Sequence, residues 1–258
     1  MKEHIVEITT VDGRMETFVS HPERRGPFPA VVLYMDVWGI REELYDIARR
    51  IATVGYYVVV PDLYYRYGRI RNEFRANGRM VSLHSLPKAD QGKVLAPLAK
   101  LSDTMVVADT GTLIAHLKAA SKAGEPVKPG AMGSIGYCMG GRHIMSVAAA
   151  YPDHFKASIG LHPTSLISER ADSPHKAATQ LRGELYCGFA ENDPYAPPSM
   201  IEQLSALMAP CPVIYQQKVH KGAEHGYALP DRDIYNKQAA NRDWEMIFDI
   251  YRRQIPPA

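Results

Sequence analysis

The chain has 258 residues, enough to bury a substantial core, and its 46% hydrophobic and 22% charged content is ordinary for a globular protein. A formal net charge of +2 is too small to draw the chain to nucleic acid or to an acidic membrane surface. Its three cysteines, Cys138, Cys187 and Cys211, include no C-x-x-C pair, which argues against a zinc site or a thioredoxin-like motif and suits a reducing compartment. The first residues lack the apolar core of a signal peptide and no apolar run reaches bilayer length, so a cytoplasmic location is expected.

The first twenty residues read as a β-hairpin, with Ile5, Glu7 and Thr9 alternating before a turn at 11–14. Residues 30–35 form a continuous apolar run, the pattern of a strand buried on both faces of a parallel sheet. A helix is expected from about 41 to 53, closed by Gly55, and a strand over 56–62. Residues 64–101 lack clean periodicity and are long for a crossover, as lids and substrate-binding insertions often are. A helix at 103–119 leads to a strand at 131–137. Further strands are expected at 157–161, 184–189 and 213–219, and helices at 198–208 and 234–253. This alternation predicts one α/β domain over 1–258, a mostly parallel doubly wound sheet flanked by helices with an N-terminal antiparallel hairpin.

The most informative stretch is Gly136-Tyr137-Cys138-Met139-Gly140-Gly141-Arg142. Strand, tight turn and helix follow one another with cysteine at the apex, the cysteine version of the nucleophile elbow of the α/β-hydrolase fold. Flanking glycines let neighbouring backbones approach, and the helix N-terminus aims N–H groups at a developing oxyanion. A free cysteine is more often an inert buried hydrophobe, so the elbow needs partners. In hydrolase order, an acid and a histidine should follow on strand-end loops. Asp193 lies in Glu191-Asn192-Asp193-Pro194, after the strand at 184–189, and His225 lies in Glu224-His225-Gly226-Tyr227, after the last strand. His143, one turn past the elbow, reads as a helix-face residue, while His162 follows the strand at 157–161 and can border a pocket.

With those motifs, and with Gly55-Tyr56-Tyr57-Val58-Val59-Val60-Pro61-Asp62-Leu63-Tyr64, the chain resembles dienelactone hydrolase (carboxymethylenebutenolidase), the cysteine branch of the α/β-hydrolases. The resemblance runs from about residue 30 to 248. It implies Cys138 as nucleophile, His225 as base and Asp193 as orienting acid, with backbone N–H groups of Val37 and Met139 as oxyanion donors. It also implies that Asp36, where the family has glutamate, contacts the resting thiol. The family grips its substrate's carboxylate with arginines, which points to the basic stretch holding Arg71 and Arg75. Leu229 stands where the family has an arginine, and Arg232 is the nearest substitute. Trp38, Tyr137, Tyr195 and Tyr227 flank the motifs as a candidate aromatic wall. The expected activity is hydrolysis of a small ester or lactone through an acyl-enzyme. A broader carboxylesterase, thioesterase or phosphotriesterase on the same triad, and a ligand-binding protein without turnover, are the alternatives. No metal or organic cofactor is implied, nor any nucleic-acid or membrane partner, and a monomer or weak homodimer is expected.

Overall fold

The computed structural model describes residues 1–24 and 26–257. Two antiparallel strands open the chain, β1 (Lys2–Thr10) and β2 (Gly13–His21), in continuous register from Lys2 opposite His21 to Thr10 opposite Gly13. β3 (Phe28–Tyr34) is buried at every position, as its uninterrupted apolar run requires. Helix α1 (Glu42–Thr53) buries Leu44, Ile47, Ala48, Ile51 and Ala52, spaced three and four apart to form one face. Tyr57–Pro61 is β4.

The aperiodic stretch then contains a two-residue hairpin, β5 (Arg75–Ala76) with β6 (Arg79–Met80), and a helix, α2 (Lys88–Lys100). Gly92 and Pro97 lie inside α2 and mask its period, which is why the sequence does not announce it. Helix α3 (Asp103–Lys122) is N-capped by the Ser102 hydroxyl, which accepts from the Met105 N–H at 3.1 Å. The remaining elements alternate: β7 (Val127–Tyr137), α4 (Met139–Ala150), β8 (Phe155–Leu161), β9 (Glu184–Asn192), α5 (Pro198–Met208), β10 (Ile214–Glu224) and α6 (Lys237–Gln254).

The eight-stranded sheet runs in the order β1-β2-β4-β3-β7-β8-β9-β10, antiparallel at β1/β2 and β2/β4 and parallel thereafter. From β3 the chain moves one way to β4, then returns across β3 to β7. The loops leaving β3 and β7 therefore diverge and open a crevice at the carboxyl ends of these two strands, the place where open α/β sheets bind ligands. Asp36, Val37 and Trp38 follow β3, and Cys138 follows β7. Among the described residues, no helix is long and apolar enough to cross a membrane.

Candidate active site

Cys138 sits between β7 and α4 with φ 56° and ψ −117°, a left-handed conformation that a side-chain-bearing residue adopts only under strain. Two glycines make the turn possible. A Cβ on Gly136 would run into the Gly140 backbone, and one on Gly140 would strike the carbonyl oxygens of Tyr34 and Met35 at the end of β3. The Cys138 N–H donates to the Leu161 carbonyl at 3.0 Å, tying the elbow to β8. At the start of α4 the Met139 N–H has no protein acceptor among the described residues, and the same holds for the Val37 N–H across the crevice. The two N–H groups expected to hold an oxyanion are thus uncommitted.

Asp193 and His225 leave β9 and β10 side by side, because those strands pair in parallel register. The Asp193 carboxylate accepts from the Tyr195 N–H through Oδ1 at 2.9 Å and bonds His225 Nδ1 through Oδ2 at 2.7 Å. One ring nitrogen of His225 is so fixed, and the other is left to the Cys138 sulfur. Burial disfavours charge on this imidazole, but the facing Cys138 sulfur and the Asp193 carboxylate outweigh it and push the His225 pKa up to about 10. Tyr195 packs edge-on to the His225 ring at 4.8 Å, and the buried His162 does so at 5.0 Å. Burial, with like charge from His225, Arg232 and Arg41, holds His162 well below the usual histidine range, so it packs as a neutral ring.

The structure brings Cys138, His225, Asp36, Val37, Trp38 and Tyr195 onto one cavity of about 390 Å³. It places the other expected residues elsewhere. Asp36 lines the cavity too, but its carboxylate is bonded to Arg41 and to the Trp38 N–H rather than to the thiol. Its two oxygens receive Arg41 Nη1 at 2.7 Å and Nη2 at 3.0 Å, and Oδ1 also accepts from the Trp38 N–H. Arg41 is held from the other side by Asp231 at 2.6 Å, giving a buried acid–arginine–acid clamp. Aspartate, shorter by one methylene than glutamate, is well placed for that clamp.

Arg71 pairs with Asp62 and Glu16, and Arg75 with Glu73, so neither guanidinium reaches the cavity. Tyr137 is fully buried against His162. Tyr227 donates to Asp243, which also receives the Tyr186 hydroxyl and engages His220, a buried hub anchoring the loop that carries His225. Two arginines that do line the cavity are Arg142 and Arg232, 6% and 5% exposed. Arg232 lies over the Trp38 ring at 5.0 Å. Arg142 was detectable only by its spacing, one helical turn beyond the nucleophile on α4. His143 is buried with its Nδ1 2.6 Å from Asp103, away from the chemistry.

A strained cysteine at a strand-to-helix turn, with an acid and a histidine on later strand-end loops of a mostly parallel sheet, defines an α/β-hydrolase. Solved structures share this fold. One is a Klebsiella pneumoniae protein named as a "putative dienelactone hydrolase" (TM-score 0.81, 20% identity, 97% of this chain and 98% of that one). Another is a dienelactone hydrolase-like promiscuous phosphotriesterase from metagenomic libraries (TM-score 0.74, 18% identity, 98% of each chain). The sequence signature of the dienelactone hydrolase family matches residues 15–255, and the chain belongs to that family of hydrolases. Relatives named "putative carboxymethylenebutenolidase" include one from Saccharolobus solfataricus, 26% identical over 94% of this chain and 95% of its own length. A second, from Synechocystis, is 23% identical over 99% and 98%.

Proposed function

We propose that the chain hydrolyses carboxylic esters or lactones through a Cys138–His225–Asp193 triad and a thioester acyl-enzyme. The observation that carries this reading is the strained Cys138 facing a histidine whose Nδ1 is bonded to Asp193 at 2.7 Å. His225 takes the Cys138 thiol proton, the thiolate adds to the carbonyl carbon, and the resulting oxyanion takes the N–H groups of Val37 and Met139. Collapse breaks the C–O bond, and the leaving alkoxide takes a proton from His225. A water then gives its proton to His225 and attacks the thioester, releasing the acid and the sulfur. Asp193 holds the imidazole in the tautomer and orientation that both steps need. The segment 64–101, whose helix α2 contributes Leu95 and Leu98 to the cavity wall, serves as the substrate-binding insertion.

Replacement of Cys138 by alanine is the test, assayed on 4-nitrophenyl acetate and on dihydrocoumarin. The proposal expects kcat/KM to fall by roughly a thousand-fold or more, as removal of a nucleophile does in other triads. Undiminished turnover would remove the thiol from the mechanism. Paraoxon, assayed in parallel, tests whether the same triad turns over a phosphotriester, an activity named for one structural neighbour.

A further inference from the structure

Arg41 stands where local chemistry argues against it. It is the N-cap of α1, a position that favours a short oxygen-bearing side chain, and its positive charge lies at the positive end of the helix dipole. Its side chain caps nothing in α1 and turns back into the loop after β3. A local rule broken by a buried residue is expected where function demands the exception. Stability alone is not a sufficient reason, because well-packed apolar side chains often hold a fold as firmly as a buried ion cluster does. What a forked, charge-paired cluster adds is direction.

The direction concerned is that of the Val37 N–H. That N–H and the Asp36 carbonyl are opposite ends of one peptide unit. The carbonyl accepts from the Gly39 N–H at 3.2 Å, so the Val37 N–H points the other way, with no protein acceptor among the described residues. The next peptide unit is held at both ends. The Trp38 N–H donates to Asp36 Oδ1 at 3.1 Å, and the Val37 carbonyl accepts from the Tyr64 hydroxyl at 3.2 Å. Arg41 closes the turn, donating from Nη1 to Asp36 Oδ1 at 2.7 Å and, more weakly, to the Gly39 carbonyl at 3.4 Å.

The guanidinium also reaches across the crevice. Nε donates to Asp231 Oδ2 at 2.6 Å, and Asp231 lies on the loop after β10, the loop that begins with His225. In the sheet, β3 and β10 are separated by β7, β8 and β9, so no direct strand pairing sets the distance between their loops. Asp231 is itself fixed from outside. Its carbonyl accepts from the Met80 N–H at 2.8 Å, and Asp233 takes both the N–H and the hydroxyl of Ser82 at 2.9 Å.

We propose that Arg41 is a positioning residue for the reaction, a strut that aims the Val37 N–H through Asp36 and sets it, through Asp231, against the loop carrying His225. The inference rests on the triad reading, and it gives Asp36 the task of holding an oxyanion donor rather than contacting the thiol.

Paired esters read the oxyanion site, 4-nitrophenyl acetate and its thiono counterpart, O-4-nitrophenyl thioacetate. Sulfur accepts hydrogen bonds poorly, so the carbonyl ester draws far more on the N–H donors. Iodoacetamide, which alkylates Cys138 without forming an oxyanion, reads the thiol and its base alone. The wild-type kcat/KM ratio, oxo over thiono, is expected to be about 100 or more, since loss of one donor costs about 10²- to 10³-fold. Arg41→Gln lowers that ratio by about tenfold or more, while the alkylation rate stays within about threefold of wild type. Arg41→Lys, which keeps the charge and loses the fork, falls between.

A merely structural role predicts that both esters and the alkylation rate fall together with the ratio intact, and that result overturns the proposal. If Arg41→Gln does not fold, Asp231→Asn, which leaves Asp36 and Arg41 paired, takes its place. Its ratio should drop by about threefold or more, and a folded Asp231→Asn with the wild-type ratio overturns the strut. Cys138→Ala on the same esters separates the two readings. Undiminished turnover there counts against the triad, and the positioning role falls with it. Turnover abolished there, with a wild-type ratio in Arg41→Gln, overturns the strut and leaves the triad standing.

Discussion

Replacing Arg41 by glutamine probes the clamp that holds the loop after β3. The Arg41, Asp36 and Asp231 side chains are 2%, 1% and 8% exposed, so the charges have almost no water to fall back on. Arg41 makes two bonds to Asp36, at 2.7 and 3.0 Å, and two to Asp231, at 2.6 and 3.3 Å. Without it, Asp36 keeps the Trp38 N–H as its one donor, and the Asp231 carboxylate loses its side-chain partner. Removing one member of a buried ion pair costs about 3–5 kcal/mol, because the remaining charge is stranded. For a chain of this size each kcal/mol moves Tm by roughly 2–4 °C, so Arg41→Gln is expected to lower Tm by about 6–20 °C. Calorimetry at pH 7 measures the shift. The double variant Asp36→Asn/Arg41→Gln should regain part of the loss, since one of the two stranded charges is gone, and the cycle yields the coupling directly. A single variant within 1–2 °C of wild type, or a double variant whose losses simply add, would refute the claim that the clamp is a coupled buried network.

Further consequences follow from the elbow and the base. Asp193→Asn removes the partner that fixes His225 and is expected to lower kcat by roughly 10²- to 10⁴-fold with little change in KM; unchanged kcat would exclude an orienting role. His225 is protonated more readily in the folded chain than in the unfolded one, where its value is near 6.5. Its contribution to stability is therefore present in full below about pH 6.5 and is lost as pH rises through about 10. The difference in Tm between wild type and His225→Gln should shrink between pH 6 and pH 10, and a gap that widens contradicts the assignment. Gly140→Ala drives a methyl into the carbonyls of Tyr34 and Met35, so it should cost about 1–3 kcal/mol and displace the elbow; calorimetry and esterase assays on one sample check both effects. Burial pushes the Cys187 thiol up to about 12, so iodoacetamide should modify Cys138 well before Cys187, as peptide mapping would show.

The elbow was legible because its signal is local. Gly136, Cys138 and Gly140 are each required by one turn, and the apolar run before it and the helix after it are contiguous in sequence. Asp193 and His225 could be found because chain order on strand-end loops follows from the topology. What the sequence hid depends on tertiary partners. Nothing local says that Arg71 turns to Asp62 while Arg142 lines the cavity, or that Asp36 is claimed by Arg41, five residues on, with Asp231 closing the clamp from a distant loop. Tyr227 looks like a pocket aromatic until Asp243, on α6, takes its hydroxyl. Helix α2 escaped because Gly92 and Pro97 interrupt its pattern, although its leucines line the cavity.

The central claim is that Cys138 becomes acylated during turnover. Wild-type enzyme mixed with 4-nitrophenyl butyrate, acid-quenched within milliseconds and examined by intact-mass and peptide mass spectrometry, tests it most directly. The account predicts a butyryl adduct confined to the peptide bearing Cys138, formed at the rate of the nitrophenolate burst and absent in Cys138→Ala. Steady turnover with no adduct at Cys138, or the same adduct rate on another residue, would contradict it.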